Sequence, residues 1–250
     1  MLVVRPEQLK TFETAAQGRF EDGMMEHSKD FSPQLCRVLG DNSLRAAIRG
    51  FIERAVGYGF TCRGPIRLFV EATFLFGSAF DTDPQYPWAA PILEGTNNEM
   101  RRAEQLYEKI TNYQDRVSGP DGVNTKNALA ALSTLGQRPA TFLSDDFMSG
   151  MVRELGHVFP QKAEYVGEAG LKALVEEGAT EARKHGLTGM RPVALIVVLM
   201  FGFGHGCTTD PLYPWIADAL RDWTADPAAR AGRLERRATT WVRHALVHND

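Results

Sequence analysis

The residues best equipped for chemistry are few, and their spacing suits other roles. His205 and Cys207 lie two residues apart, the parts of a nucleophile and its base. No third group completes a known pattern around them. They read as a buried thiol beside a capping or surface histidine. Gly202-Phe-Gly-His-Gly206 is glycine-rich. A phosphate cradle, however, sets its glycines between a strand and a helix N-terminus, and this run follows an apolar helical segment. His244 and His248 have the i, i+4 spacing of two metal ligands on one helix face. Without a third ligand they read as cations favoured by the end of a helix. Asp145 and Asp146 precede an apolar segment and read as N-capping. Cys36, Cys62 and Cys207 are odd in number and widely spaced, so neither a disulfide framework nor a zinc pattern is expected. Free, buried thiols fit a reducing cytoplasm. No cofactor, metal or catalytic residue is expected, and the chain is not read as an enzyme.

What the sequence does repeat is a corner. Thr82-Asp83-Pro84-Gln85-Tyr86-Pro87-Trp88 returns as Thr209-Asp210-Pro211-Leu212-Tyr213-Pro214-Trp215. The offset is 127 residues, and between Leu44/Leu171 and Leu93/Leu220 it needs no gap. Those 50 positions carry 19 identities, where ordinary residue frequencies give about three. The same offset pairs Phe20 with Phe147, Met24 with Met151 and Pro33 with Pro160. The chain thus reads as two tandem diverged copies of one module: residues 1–116, a turn-rich linker over 117–126, and residues 127–250. The copies form either two domains or one pseudo-twofold body with a shared interface. Within the corner, Asp is suited to accept from free helix-end N–H groups, and the prolines fix φ where no donor is needed. Tyr and Trp anchor the turn. The same residues, Asp83, Tyr86, Trp88, Asp210, Tyr213 and Trp215, are the candidate lining of a binding groove.

The elements that position this corner read as helices throughout, giving an all-α fold of four to six helices per copy. Pro6 suits a first helical turn. Asn42 or Ser43 is expected to cap a helix from Leu44 to about Tyr58. Gly59 and Gly186 are expected to stop helices in the left-handed conformation. Thr61 and Thr188 are expected to cap the next helix, with Pro65 or Pro192 in its first turn. That helix is apolar on nearly all sides and reads as central. Charged amphipathic helices follow near 98–116 and 226–247. No alternating strand pattern or hairpin signal appears.

A net charge of −3 lacks the concentrated basic field that nucleic acid or an anionic membrane requires. Arg230, Arg233, Arg236, Arg237 and Arg243 read as one solvated helix face. Val193 to Phe203 is too short to span a bilayer. The opening MLVVRPEQLK lacks the pattern of a signal peptide.

Val4-Arg5, Gln8 and Phe12, then Tyr58-Gly59-Phe60-Thr61 and the run Phe74 to Asp81, are similar to a pattern of helical accessory proteins. These are encoded beside spike, PAAR-tip and effector genes in bacterial type VI secretion clusters. Most of copy one fits the pattern; copy two departs from it at Cys207-Thr208. The resemblance implies a small cytoplasmic accessory protein with a protein partner and carries over no catalytic residue. The expected function is an adaptor or chaperone for a secreted effector or spike-tip component. The alternatives are an immunity protein against a cognate toxin, and a small-ligand binder or enzyme with a pocket near Asp83 or Asp210.

Overall fold

The computed structural model describes residues 6–135, 146–222 and 225–247, with side chains for 15–134, 146–222 and 225–246. Val4, Arg5, Asp145, His248 and the side chains of Gln8 and Phe12 lie outside what is described. Helices α1 (Pro6–Phe31), α2 (Pro33–Gly57), α3 (Arg63–Phe76), α4 (Ala89–Leu93) and α5 (Glu99–Tyr113) come first. After α6 (Val123–Leu135) follow α7 (Phe147–Val158), α8 (Pro160–Lys184), α9 (Met190–Phe203), α10 (Pro214–Leu220) and α11 (Pro227–Val247). There is no strand among the described residues. None of the described helices is long and apolar enough to cross a membrane. The segment read as a linker is a π-helical turn at Gln114–Ser118, a 3-10 turn at Pro120–Gly122 and the start of α6. Val117 within it is fully buried.

Several boundaries differ from expectation for physical reasons. Asn42 and Ser43 cap nothing, because α2 starts at Pro33 and breaks at Gly40 (φ 72°, ψ 159°). That conformation belongs essentially to glycine, so the turn is made by the backbone and needs no side-chain cap. α8 breaks in the same way at Gly167 (φ 76°, ψ 164°), 127 residues on. Thr61 does not cap α3. Its hydroxyl donates to Glu99 Oε1 at 2.8 Å, and Glu99 Oε2 accepts the N–H groups of Thr61 and Cys62 at 2.6 and 3.0 Å. A carboxylate from α5 has taken over the cap, and those N–H bonds pull the Glu99 carboxyl down to about 2. Asp146 caps α7 as expected, accepting from Met148 N–H at 3.1 Å. Gly59 and Gly186 stop their helices with φ of 75° and 69°.

The aromatic packing beneath the two corners matches ring for ring. Phe76 stands 4.6 Å from Tyr86, 5.7 Å from Trp88 and 4.8 Å from Tyr113. Phe203 stands 4.5 Å from Tyr213, 5.9 Å from Trp215 and 4.6 Å from Trp241. The last pairing shifts the offset to 128, and the helix starts agree. Asn98 accepts from Arg101 N–H at 2.9 Å, and Asp226 accepts from Ala229 N–H at 2.8 Å. Arg102 caps the end of α4 through the Leu93 carbonyl. Arg230 reaches the Leu220 carbonyl at the end of α10, at 3.5 Å. Arg230 is therefore buried, not part of a solvated basic face.

Candidate functional site

The two corners meet back to back. Asp83 accepts from its own Gln85 N–H at 2.9 Å and from His205 N–H at 2.7 Å. Asp210 accepts from Leu212 N–H at 2.8 Å and from Ser78 N–H at 2.8 Å. His205 and Ser78 are 127 residues apart, so the exchange is reciprocal. Each Asp closes a turn and binds the backbone just past the other half's central helix. Burial raises the affinity of both carboxyls for a proton; the N–H groups counter this. At the crossing, a Cβ on Gly77 would collide with the Phe203 carbonyl, and one on Gly204 with the Phe76 carbonyl. Their φ values, 94° and 92°, are also closed to most side chains.

Of the sequence-predicted residues, Asp83, Tyr86, Asp210 and Tyr213 are buried in this junction. Trp88 and Trp215 are half-buried against the same core. The junction also assembles a chain that spacing cannot reveal. Thr82 Oγ lies 3.0 Å from His205 Nε2, and His205 Nδ1 lies 3.0 Å from Glu177 Oε2. Hydroxyl, imidazole and carboxylate stand in the order that activates a nucleophile. The N–H groups of Thr82 and Asp83 are bonded to Ala79 and Phe80 carbonyls, so they make no oxyanion pocket. The Ala79 carbonyl lies 3.2 Å from both Thr82 Oγ and His205 Nε2, tying these groups into the junction. Cys207 is fully buried, and burial pushes its thiol well above the ordinary range, so His205 has no thiolate partner there. Cys36 is also buried, whereas Cys62 is exposed. No three His, Cys, Asp or Glu side chains are grouped to hold a metal among the described residues.

Beside the junction sits Lys162, 3% exposed, donating to the Phe201 carbonyl and 5.0 Å from the Phe201 ring centre. The Phe201 carbonyl belongs to the last turn of α9, where backbone acceptors lack helical partners. Gln85 Nε2 serves the neighbouring Met200 carbonyl at 3.1 Å. Burial lowers the Lys162 ammonium to about 8, with Asp83 pulling the other way.

The open site lies elsewhere. A cavity of about 940 Å³ runs between the ends of α1 and α3, the first segment of α2, and α6, α7, α9 and α11. Its walls include Phe31, Leu35, Leu129, Leu132, Met151, Leu195, Val198 and Trp241. Its polar lining includes Ser32, Gln34 and Arg37, Thr125 and Ser133 on α6, Glu154 on α7, and Glu235, Thr239 and His244 on α11. Arg191 pairs with Glu235 across it. Leu195, Val198 and Phe203 are half-exposed on this side, so α9 is not surrounded as its all-apolar sequence suggests. Val38 at the rim is 73% exposed. Of the candidate groove residues in the sequence, Tyr213 alone lines this cavity, together with His244; the rest of its walls could not be read from spacing, because they come from seven helices. One signal was available: small residues recur along α11 at helical spacing, at Ala228, Ala231, Gly232, Ala238 and Ala245. No family model matches the chain, and neither a curated protein nor a solved structure does.

Proposed function

We propose that this chain is a non-enzymatic cytoplasmic binding protein made by duplication of one helical module. It acts as an adaptor or chaperone that holds a secreted effector or spike-tip component of a type VI secretion system before loading. The binding role rests on one observation: a large, open, apolar cavity walled by seven helices. Exposed apolar surface of this kind marks a place for a partner or ligand. The duplication rests on the 19 identities at a fixed offset, with matched glycine breaks and ring clusters in support. The secretion role rests on the resemblance in copy one. A small-ligand reading draws on the same cavity, whose volume falls inside the roughly 300–1,000 Å³ range of ligand pockets.

Co-expression with the products of neighbouring genes tests the adaptor role. One of them is expected to co-purify at mild salt. If none is retained, the adaptor role fails. If this chain protects a cell expressing a neighbouring toxin, the immunity role replaces it.

A further inference from the structure

The cavity has a counterpart in the other half of the molecule, and there the chain fills it. At the offset of 127 or 128, Gly202 corresponds to Leu75, Ala238 to Ile110, Ala245 to Val117 and Val38 to Tyr165. Each of these four cavity positions holds the smaller residue. In the filled half Ile110 and Val117 are buried. Tyr165 stands edge-on to Tyr113 at 5.2 Å, with the Arg116 guanidinium 5.7 Å from its ring centre. The first segment of α8 therefore closes on the π-helical turn that follows α5. In the open half Val38 projects into solvent, and Leu35 stands where Lys162 reaches its carbonyl. At these four positions the cavity carries less side-chain volume than its counterpart, whereas Phe31, Leu199 and Trp241 exceed Val158, Ala72 and Tyr113. Close-packed interiors do not ordinarily leave such a space.

Resting on the binding role proposed above, we infer that the cavity is filled by an amphipathic helix of the partner protein, bearing acidic residues beside its apolar ridge. Three features select this occupant. The lining residues of α11 run from Ala228 to Ala245, about 25 Å at 1.5 Å per residue. That length suits a helix of similar size read at i, i+3, i+4 and i+7. The Ala and Gly positions on α11 let another helix approach closely. The acidic flank answers Arg37, an exposed rim cation with no ion pair among the described residues. Arg236 and Arg243, adjacent in sequence to lining residues, are exposed and have no ion pair among the described residues either.

The test uses full-length protein and three probes: a labelled 16-residue amphipathic peptide with Leu and Phe on one face and Glu on its flanks, the same peptide with Lys flanks, and dodecanoate. Fluorescence anisotropy is expected to show the Glu peptide binding at least tenfold more tightly than the Lys peptide. Arg37→Glu is expected to weaken the Glu peptide several-fold. The double variant Gly202→Leu/Ala238→Ile installs the residues of the filled half. It is expected to lose peptide binding while melting no lower than wild type, which separates a filled cavity from a failed fold. The inference is overturned if neither peptide binds, if the filled variant binds the Glu peptide as wild type does, or if dodecanoate binds one to one where the peptide does not. A dimer of wild type that the filled variant abolishes also overturns it, since the occupant is then a second copy. If a co-purifying partner stays on the filled variant, the inference fails and the adaptor role stands. If the Glu peptide binds and no partner co-purifies, the inference stands and the adaptor role fails.

Discussion

At the scale of single residues, the junction depends on buried polar groups whose partners come from the other half. Asp83 and Asp210 each satisfy two backbone N–H groups in a dry place. Asp83→Ala or Asp210→Ala orphans those donors, and a loss of about 3 kcal/mol is expected for each by chemical denaturation. Lys162 gives a pH signature. Its ammonium is lowered to about 8 in the fold, against about 10.4 in an unfolded chain. Between these values the unfolded chain binds more protons, so the Lys162 contribution to stability rises with pH. Relative to Lys162→Met, the wild type is expected to gain on the order of 2 kcal/mol between pH 7 and pH 10, measured by urea denaturation. The difference between the two proteins removes the opposing effect of the buried tyrosines. The sequence made the importance of the Asp-Pro-x-Tyr-Pro-Trp corner readable, because both copies carry it. It did not reveal the His205 N–H that Asp83 binds 122 residues away. Lys162 was equally hidden, since copy one has leucine at that position.

At the scale of elements, helix existence and most boundaries followed from apolar periodicity, Pro starts and Gly stops. One miss occurred where a tertiary partner replaced a local one, and another where a glycine break needed no side-chain cap. Thr61 looks like a cap, but Glu99 arrives from α5 and takes that role. Ser43 looks like a cap, but Gly40 breaks the helix without one. The glycines differ in what a side chain would meet. Gly77→Ala places a Cβ against the Phe203 carbonyl at positive φ. It is expected to cost about 3 kcal/mol or more, since both backbone strain and a backbone collision are imposed. Gly40→Ala meets open space and bears only the backbone strain, about 1–3 kcal/mol. A comparison of thermal melts of the two variants checks that order. Equal losses would mean that the Gly77–Gly204 crossing is looser than described.

At the scale of the whole molecule, the halves are joined by reciprocal bonds and closely opposed backbones, so they are expected to unfold together. A single calorimetric transition, with equal calorimetric and van't Hoff enthalpies, is the expected outcome. On the duplication proposed above, the shared positions set the helix arrangement and the differing ones border the cavity. Where copy one has Leu75 and Ile110, copy two has Gly202 and Ala238. That difference was legible once the copies were aligned. The opening beside it was not, because α6 and the first segment of α2 also form its walls. The measurement that tests this account most directly is partner retention by Gly202→Leu/Ala238→Ile, beside wild type, after co-expression with neighbouring gene products. The account predicts a partner held by the wild type and lost from the filled variant, which melts at the same temperature or higher. A partner held equally by both contradicts it.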